Sequence, residues 1–251
     1  MQRNKRISLI FLGAFGMFMS AASYWFYFSG SASFPAERQL IDHINTYFPE
    51  SSVDQIQETV NVDERHVFVP FITKDQKYGG SNWEWKKHQW ECTAIETKGN
   101  PYIWKIDEND PASFYLVWNG NPSHELGYMK LFMKRKAGYS VSDGKENYIP
   151  NIQMEAGINI REKSFGVQKL PASWAHTLTS HIKMGSAAQP FSLFKDNGFQ
   201  QFQFGWLPFS SMEGELISPE NMDLTGFSRQ GEDTETFLLL NQMEVFTESS
   251  H

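Results

Sequence analysis

Residues Ile7 to Phe28 form an unbroken run of 22 positions without a charged side chain, and Arg3, Lys5 and Arg6 stand just before it. No other feature narrows the folding options as much. A helix rises about 1.5 Å per residue, so this run reaches about 33 Å and can cross a hydrocarbon core of about 30 Å. The basic residues in front of it place the N-terminus on the cytoplasmic side. Tyr24, Trp25, Phe26, Tyr27 and Phe28 then fall where an aromatic belt meets the far headgroups. The chain therefore reads as residues 1–6 in the cytoplasm, a transmembrane anchor over 7–28, a Gly/Ser/Ala linker over 29–34 and one extracytoplasmic domain over 35–251.

Cleavage as a signal peptide is the competing reading, because Ser20-Ala21-Ala22 and Ser31-Ala32-Ser33 offer small residues in suitable places. The apolar run is longer than the roughly 7–15 residues usual for a signal peptide. Both readings put the domain outside the cytoplasm. The absence of any cysteine near the segment excludes a lipoprotein anchor.

Charge limits the partners. With Arg3, Lys5 and Arg6 taken from the 22 Lys and Arg, the rest of the chain carries 19 basic against 29 acidic side chains, a net −10. Such a surface repels phosphate backbones, so no nucleic acid is expected as a partner. Lys130, Lys134, Arg135 and Lys136 are the local exception and read as the solvated edge of a strand. The single cysteine, Cys92, permits no internal disulfide and cannot by itself form a structural zinc site. Trp90, Cys92 and Ala94 alternate with Glu91 and Thr93, which puts Cys92 on an inward strand face as a small apolar group. The chain has no usable glycosylation sequon, since Pro122 blocks Asn121-Pro122-Ser123. Together with the missing disulfides, this leans towards a bacterial envelope.

Periodicity gives the fold class. Leu40, Ile41, Ile44, Tyr47 and Phe48 recur at helical spacing between Pro35 and Pro49. Val53 to Val60 is expected to add a further helical turn. From about residue 62 the period becomes 2. Val67, Val69 and Phe71 mark a strand in which Pro70 signals an edge or a bulge. Gly79-Gly80-Ser81 reads as a turn, followed by a long strand from Trp83 to Thr97 with an irregularity near Lys86-Lys87.

Ser113 to Trp118 is apolar on both faces, as a doubly covered central strand would be. Ile152 to Arg161 and Gln201 to Trp206 alternate most cleanly, so Ile158 and Phe204 should be buried while Asn159 and Gln203 face water. Trp174, Leu178 and Ile182 mark a second helix over 171–184, with Gly185 as its stop. Phe237 to Phe246 reads as a closing strand. The expected fold is α+β: a transmembrane helix, then an antiparallel β-meander with two packed helices. A helix cradled by a strongly curved meander is one architecture that fits.

Chemical signatures are sparse. No phosphate-binding glycine loop, dinucleotide fingerprint, zinc-protease motif or nucleophile elbow occurs. Ser-x-x-Lys occurs at Ser142–Lys145, Ser180–Lys183 and Ser192–Lys195, but only the second lies on an expected helix. His176 and His181 are five residues apart, which separates them widely around a helix. No metal and no cofactor are therefore expected.

The aromatic surplus remains, with eight Trp, nine Tyr and 21 Phe. Most of these rings are expected to fill a core free of disulfides. Trp83 and Trp85, flanked by Asn82, Glu84, Lys86 and Lys87, are the pair best placed to stand exposed and bind a ligand. The leading reading is thus a non-enzymatic binding or regulatory module. It would be held in the lipid bilayer through residues 7–28 and would meet an envelope protein or surface polymer. An envelope hydrolase using carboxylates such as Glu84 and Glu91 is the alternative, and a structural assembly component the second.

Overall fold

The computed structural model describes residues 12–20, 24, 30–122, 125–142, 145–188 and 201–241. No helix among the described residues is long and apolar enough to cross a membrane. The expected span lies partly outside them; within it the structure describes a helix over 12–20 and residue 24. The rest is α+β, with antiparallel sheets and one short parallel contact.

The helices are α1 (Glu37–Tyr47) and α2 (Ala172–Ala188). In chain order the strands begin with β1 (Val53–Ile56), β2 (Val60–Asn61), β3 (His66–Thr73), β4 (Tyr78–Lys86) and β5 (Gln89–Glu96). They continue with β6 (Tyr102–Lys105), β7 (Phe114–Asn119), β8 (Tyr128–Arg135), β9 (Gly138–Ser142), β10 (Lys145–Ile149) and β11 (Ile152–Asn159). The last are β12 (Phe165–Lys169), β13 (Gln203–Phe209), β14 (Ser228–Arg229), β15 (Thr234–Thr236) and β16 (Leu238–Leu239).

Three sheets stack in layers. The first runs β1-β3-β4-β5-β14, with β2 also on β3; the second runs β12-β7-β6-β15; the third runs β11-β8-β13-β16. Leu40, Ile44 and Phe48 of the α1 region cover one face of the first sheet, against Val67, Val69, Phe71, Trp83 and Ile95. Its other face meets the second sheet through Phe68, Tyr102, Trp104 and Val117. The largest core lies between the second and third sheets, where α2 contributes Trp174 and Leu178. Strand β7 supplies both interfaces, Val117 to one and Phe114, Leu116 and Trp118 to the other. That is the doubly covered strand its sequence pattern calls for. The meander is thus split among layers, and α1 lies on an outer face.

Local chemistry accounts for the elements. Pro49 ends α1, and Phe48 before it leaves the helical region at φ −134°. Asn45 then grips the next strand: its Nδ2 donates to Val53 O and its Oδ1 accepts from Val53 N, both at 2.8 Å. This reciprocal pair holds Val53 extended, so the stretch expected as a helical turn is β1 instead.

Gly79-Gly80-Ser81 is not a turn but the interior of β4. Both glycines lie under aromatic rings: a Cβ at Gly80 would stand 2.4 Å from the Phe68 ring, and one at Gly79 2.8 Å from the Phe71 ring. Pro70 sits opposite Gly80 in a central strand, not at an edge. Its missing N–H falls where the neighbouring strand breaks between β1 and β2, and its carbonyl still accepts from Gln57 N at 2.9 Å.

The expected strand over 83–97 is a hairpin. Lys87 and His88 adopt φ +49° and +63° and join β4 to β5 as a two-residue loop. Two consecutive positive φ values match the twist of the flanking strands, although glycine or asparagine usually supplies them. In β5, Asn82 pairs with Ala94 while Trp83 pairs with Cys92, which leaves Thr93 as an extra, bulged residue.

Ile158 and Phe204 are buried, and Asn159 and Gln203 exposed, as the alternation requires. Helix α2 runs past Gly185 to Ala188, carried by Ala187 and Ala188. Of the expected closing strand, Leu238–Leu239 pairs parallel with β13, and positions 242–246 lie outside the described residues.

Gly80→Ala separates intrinsic propensity from packing. Alanine is the better strand former, but its methyl group has no room under Phe68. Urea unfolding should show a loss of roughly 1–3 kcal/mol; an unchanged or raised stability would contradict the packing.

Candidate functional site

Trp83 and Trp85 share a face of β4, but neither stands free. Trp83 is 1% and Trp85 7% exposed. The pair is therefore not exposed as the sequence suggested: α1 and the segment before it lie over Trp83, and Trp90 and His88 pack on Trp85. Trp83 donates through Nε1 to Ser81 Oγ at 2.9 Å, and His43 of α1 packs on it at 5.0 Å. Burial holds the His43 pKa below its ordinary value, which suits a neutral ring laid against an indole. Trp85 meets its cross-strand partner Trp90 at 5.5 Å.

The segment before α1 completes this cluster. The Phe34 ring stands edge-on to Trp83 at 5.8 Å and to Trp90 at 4.9 Å. Such aromatic pairs contribute about 0.5–1.5 kcal/mol beyond burial. Trp90 donates through Nε1 to Ala32 O at 3.1 Å. Beside the contact lies an open groove of about 410 Å³, lined by Gly30, Ser31, Ala32, Phe34, Asn61, Asp63, Glu64 and Trp90. A second cleft, of about 210 Å³, includes Lys77, Lys98, Asn121 and Asp223 in its lining. There Lys77 Nζ is tied to Thr225 O at 2.6 Å and to Thr225 Oγ1 at 2.8 Å.

The carboxylates of the enzymatic reading do come onto adjacent strands, since Glu84 and Glu91 are direct partners across the hairpin. Both are engaged. Glu84 pairs with Lys86 Nζ at 2.5 Å and with His66 Nε2 at 3.8 Å, while Glu91 accepts from Gln89 Nε2 at 2.8 Å. Asp63 holds the other His66 nitrogen at 2.8 Å. Neither glutamate lines either cleft described above. His88, inside the stretch expected as one strand, lies in the hairpin loop. Among the described residues no group of three or more His, Cys, Asp or Glu is arranged to hold a metal.

Two features escape a reading by sequence pattern. The basic run is not a solvated edge, because β8 lies between β11 and β13 and buries Lys134 and Arg135. Arg135 contacts His181 Nδ1 through Nη1 at 2.9 Å, donates through Nη2 to Pro150 O at 3.3 Å and covers Phe202. Desolvation lowers its pKa.

The other is a buried polar cluster between the first two sheets. The Thr93 bulge turns Ala94 and Glu96 towards the second sheet, so Ala94 does not share the inward face of Cys92. Tyr102 donates its hydroxyl to Asn82 Oδ1 at 2.6 Å, and Glu96 accepts from Lys98 N at 2.6 Å. Desolvation raises the Glu96 pKa, opposed by hydrogen bonds from Lys98 N and the Ser228 side chain. Tyr102 is raised well above its ordinary value, first by desolvation and then by Glu96 and Asp233. No single residue announces this cluster, which the pairing of distant strands creates.

No protein-family model, curated protein or solved structure matches the chain.

Two outcomes follow from the burial. A glutamate whose pKa is raised in the fold contributes most below its unfolded pKa, and that contribution is lost as pH rises through the folded value. Glu96→Gln should therefore stabilise the protein at neutral pH, with the gain shrinking as acid is added. Urea midpoints from pH 4 to 8 test this, and a gain independent of pH would contradict it. The Cys92 thiol, pushed up to about 12 mainly by desolvation, should alkylate far more slowly at pH 8 than in the urea-unfolded chain.

Proposed function

We propose that this chain is a non-enzymatic binding or regulatory module, anchored in a membrane by residues 7–28. Its domain works outside the cytoplasm on an envelope protein or a surface polymer. The observation that carries the anchor is the helix over 12–20, where Leu12, Phe15, Met17 and Phe18 are between 62% and 76% exposed. Burying such side chains is worth about 1.5–3 kcal/mol each, and a hydrocarbon core supplies the cover. Ser20 Oγ donates back to Gly16 O at 2.9 Å, so its hydroxyl is satisfied within the helix, as an apolar medium demands.

Binding is favoured over catalysis by where the chemistry lies. The aromatic groove runs beside Gly30 to Phe34, only a few residues after the uncharged run, so a partner there would be met close to the membrane. The cross-strand pairing of Glu84 with Glu91 favours the hydrolase as the second reading. Replacing both by glutamine would abolish wall or polymer cleavage if that reading held, and would leave partner capture intact if the binding reading holds.

Protease added to intact cells or protoplasts should remove the domain, and intact mass should show Met1 to Phe28 retained. A fully protected domain would overturn the topology. A mature N-terminus near Ala32 or Phe34 would make the segment a signal peptide.

A further inference from the structure

We propose that residues 30–36 are a latch: Phe34 is an intramolecular ligand that fills an aromatic cage formed by Trp83 and Trp90 and so masks a recognition site. The cage takes a short extended segment with an aromatic residue followed by proline. This goes beyond the anchored-module reading and does not depend on it, since it concerns contacts within the described domain.

The seat is built for a ring. Phe34 meets Trp83 and Trp90 at interplanar angles of 89° and 85°, presenting an edge-to-face contact on each side. Both indoles are backed, Trp83 by His43 and Trp90 by Trp85. The Trp90 Nε1–H fixes the register of the segment by donating to Ala32 O. Pro35 disfavours the helical region at Phe34, so the ring is offered from an extended backbone with little ordering left to do.

The hold is narrow. Gly30, Ser31, Ala32, Ser33 and Ala36 are exposed, and only Phe34 and Pro35 of the segment are partly buried. Withdrawing Phe34 would leave the cage continuous with the groove lined by Asn61, Asp63, Glu64 and Trp90. An aromatic floor with a polar and acidic rim would then face solvent, widening the open groove that the latched chain already shows.

Cys92 gives a clean reporter. It is the sole cysteine, pairs directly with Trp83 across the hairpin, and packs in the same cluster as Phe34 and Trp90. In the full-length protein held in detergent, Phe34→Ala should raise the rate at which a neutral maleimide labels Cys92 by at least about tenfold. A peptide of residues 31–36 at millimolar concentration should bring that rate back towards wild type, while its Phe-to-Ala version should not. Trp90→Phe keeps a ring but removes the donor to Ala32, so it should give a smaller rise that the peptide reverses less well.

An unchanged labelling rate in Phe34→Ala would overturn the proposal. So would a rise that the peptide leaves unaffected, because Phe34 would then be an ordinary packing residue whose loss loosens the domain.

Discussion

The Phe68 ring occupies the space that a side chain at position 80 would need, and the Phe71 ring does the same at position 79 on the opposite face. Two adjacent glycines thus let a β-strand be pressed by rings from both sides, and this thins the first sheet at its centre. The second sheet uses the room. Asn119, at the end of β7, reaches across and donates through Nδ2 to Gly79 O at 2.7 Å, Phe71 O at 3.2 Å and Gln57 Oε1 at 2.7 Å. One buried amide therefore bonds the β7 end to both central strands of the first sheet. A Cβ at Gly79 would also stand 2.4 Å from Glu96 O, so the approach of the β5 backbone leaves no room for a side chain there either.

The polar cluster depends on that approach and on the Thr93 bulge. Without the extra residue, Ala94 and Glu96 would stay on the face of Trp90 and Cys92, under α1 and away from Lys98 N and Ser228. With it, Glu96 meets Lys98 N and Ser228, while Thr93 Oγ1 reaches Asn82 O and Asp233 Oδ2, both at 3.4 Å. The bulge thus converts a strand that begins apolar into one that ends polar. It also ties β5 to the late segment that carries β14 and β15.

How much of this could be read from the sequence follows from whether each cause is local. Ile158, Phe204 and the two-faced Ser113–Trp118 stretch were legible because burial writes its period directly into neighbouring residues. Helix α1 was legible from Leu40, Ile44 and Pro49. The hairpin at Lys87-His88 was hidden because neither residue prefers positive φ; the pairing of Trp85 with Trp90 and of Lys86 with Gln89 imposes it. Gly79-Gly80 misled because glycine marks both turns and close contacts, and the deciding ring, Phe68, is twelve residues away. Lys134 and Arg135 misled because charge suggests solvent, whereas the order β11-β8-β13 encloses them. The candidate site was legible only in Trp83: Trp85 was expected beside it as an exposed partner, Trp90 was set on an inward strand face, and the segment that covers Trp83 and Trp90 was read as a plain linker.

The indole nitrogens show why that cover is unlike the rest of the core. A buried Trp N–H generally takes an acceptor, although Trp118 Nε1 has none among the described residues, and the acceptor taken shows what each ring joins. Trp83 spends its N–H on Ser81 Oγ within its own strand, while Trp104 gives its own to Asp233 Oδ2 and Trp206 to Asn100 Oδ1, bonds that join distant parts of the layered body. Trp90 spends its N–H on the carbonyl of Ala32, in an exposed segment outside every sheet and helix. Trp90 is only partly buried, so a ring that merely filled space beside Trp85 could leave its N–H to water. The bond makes sense where the position of residues 30–34 relative to the domain is itself what the structure maintains.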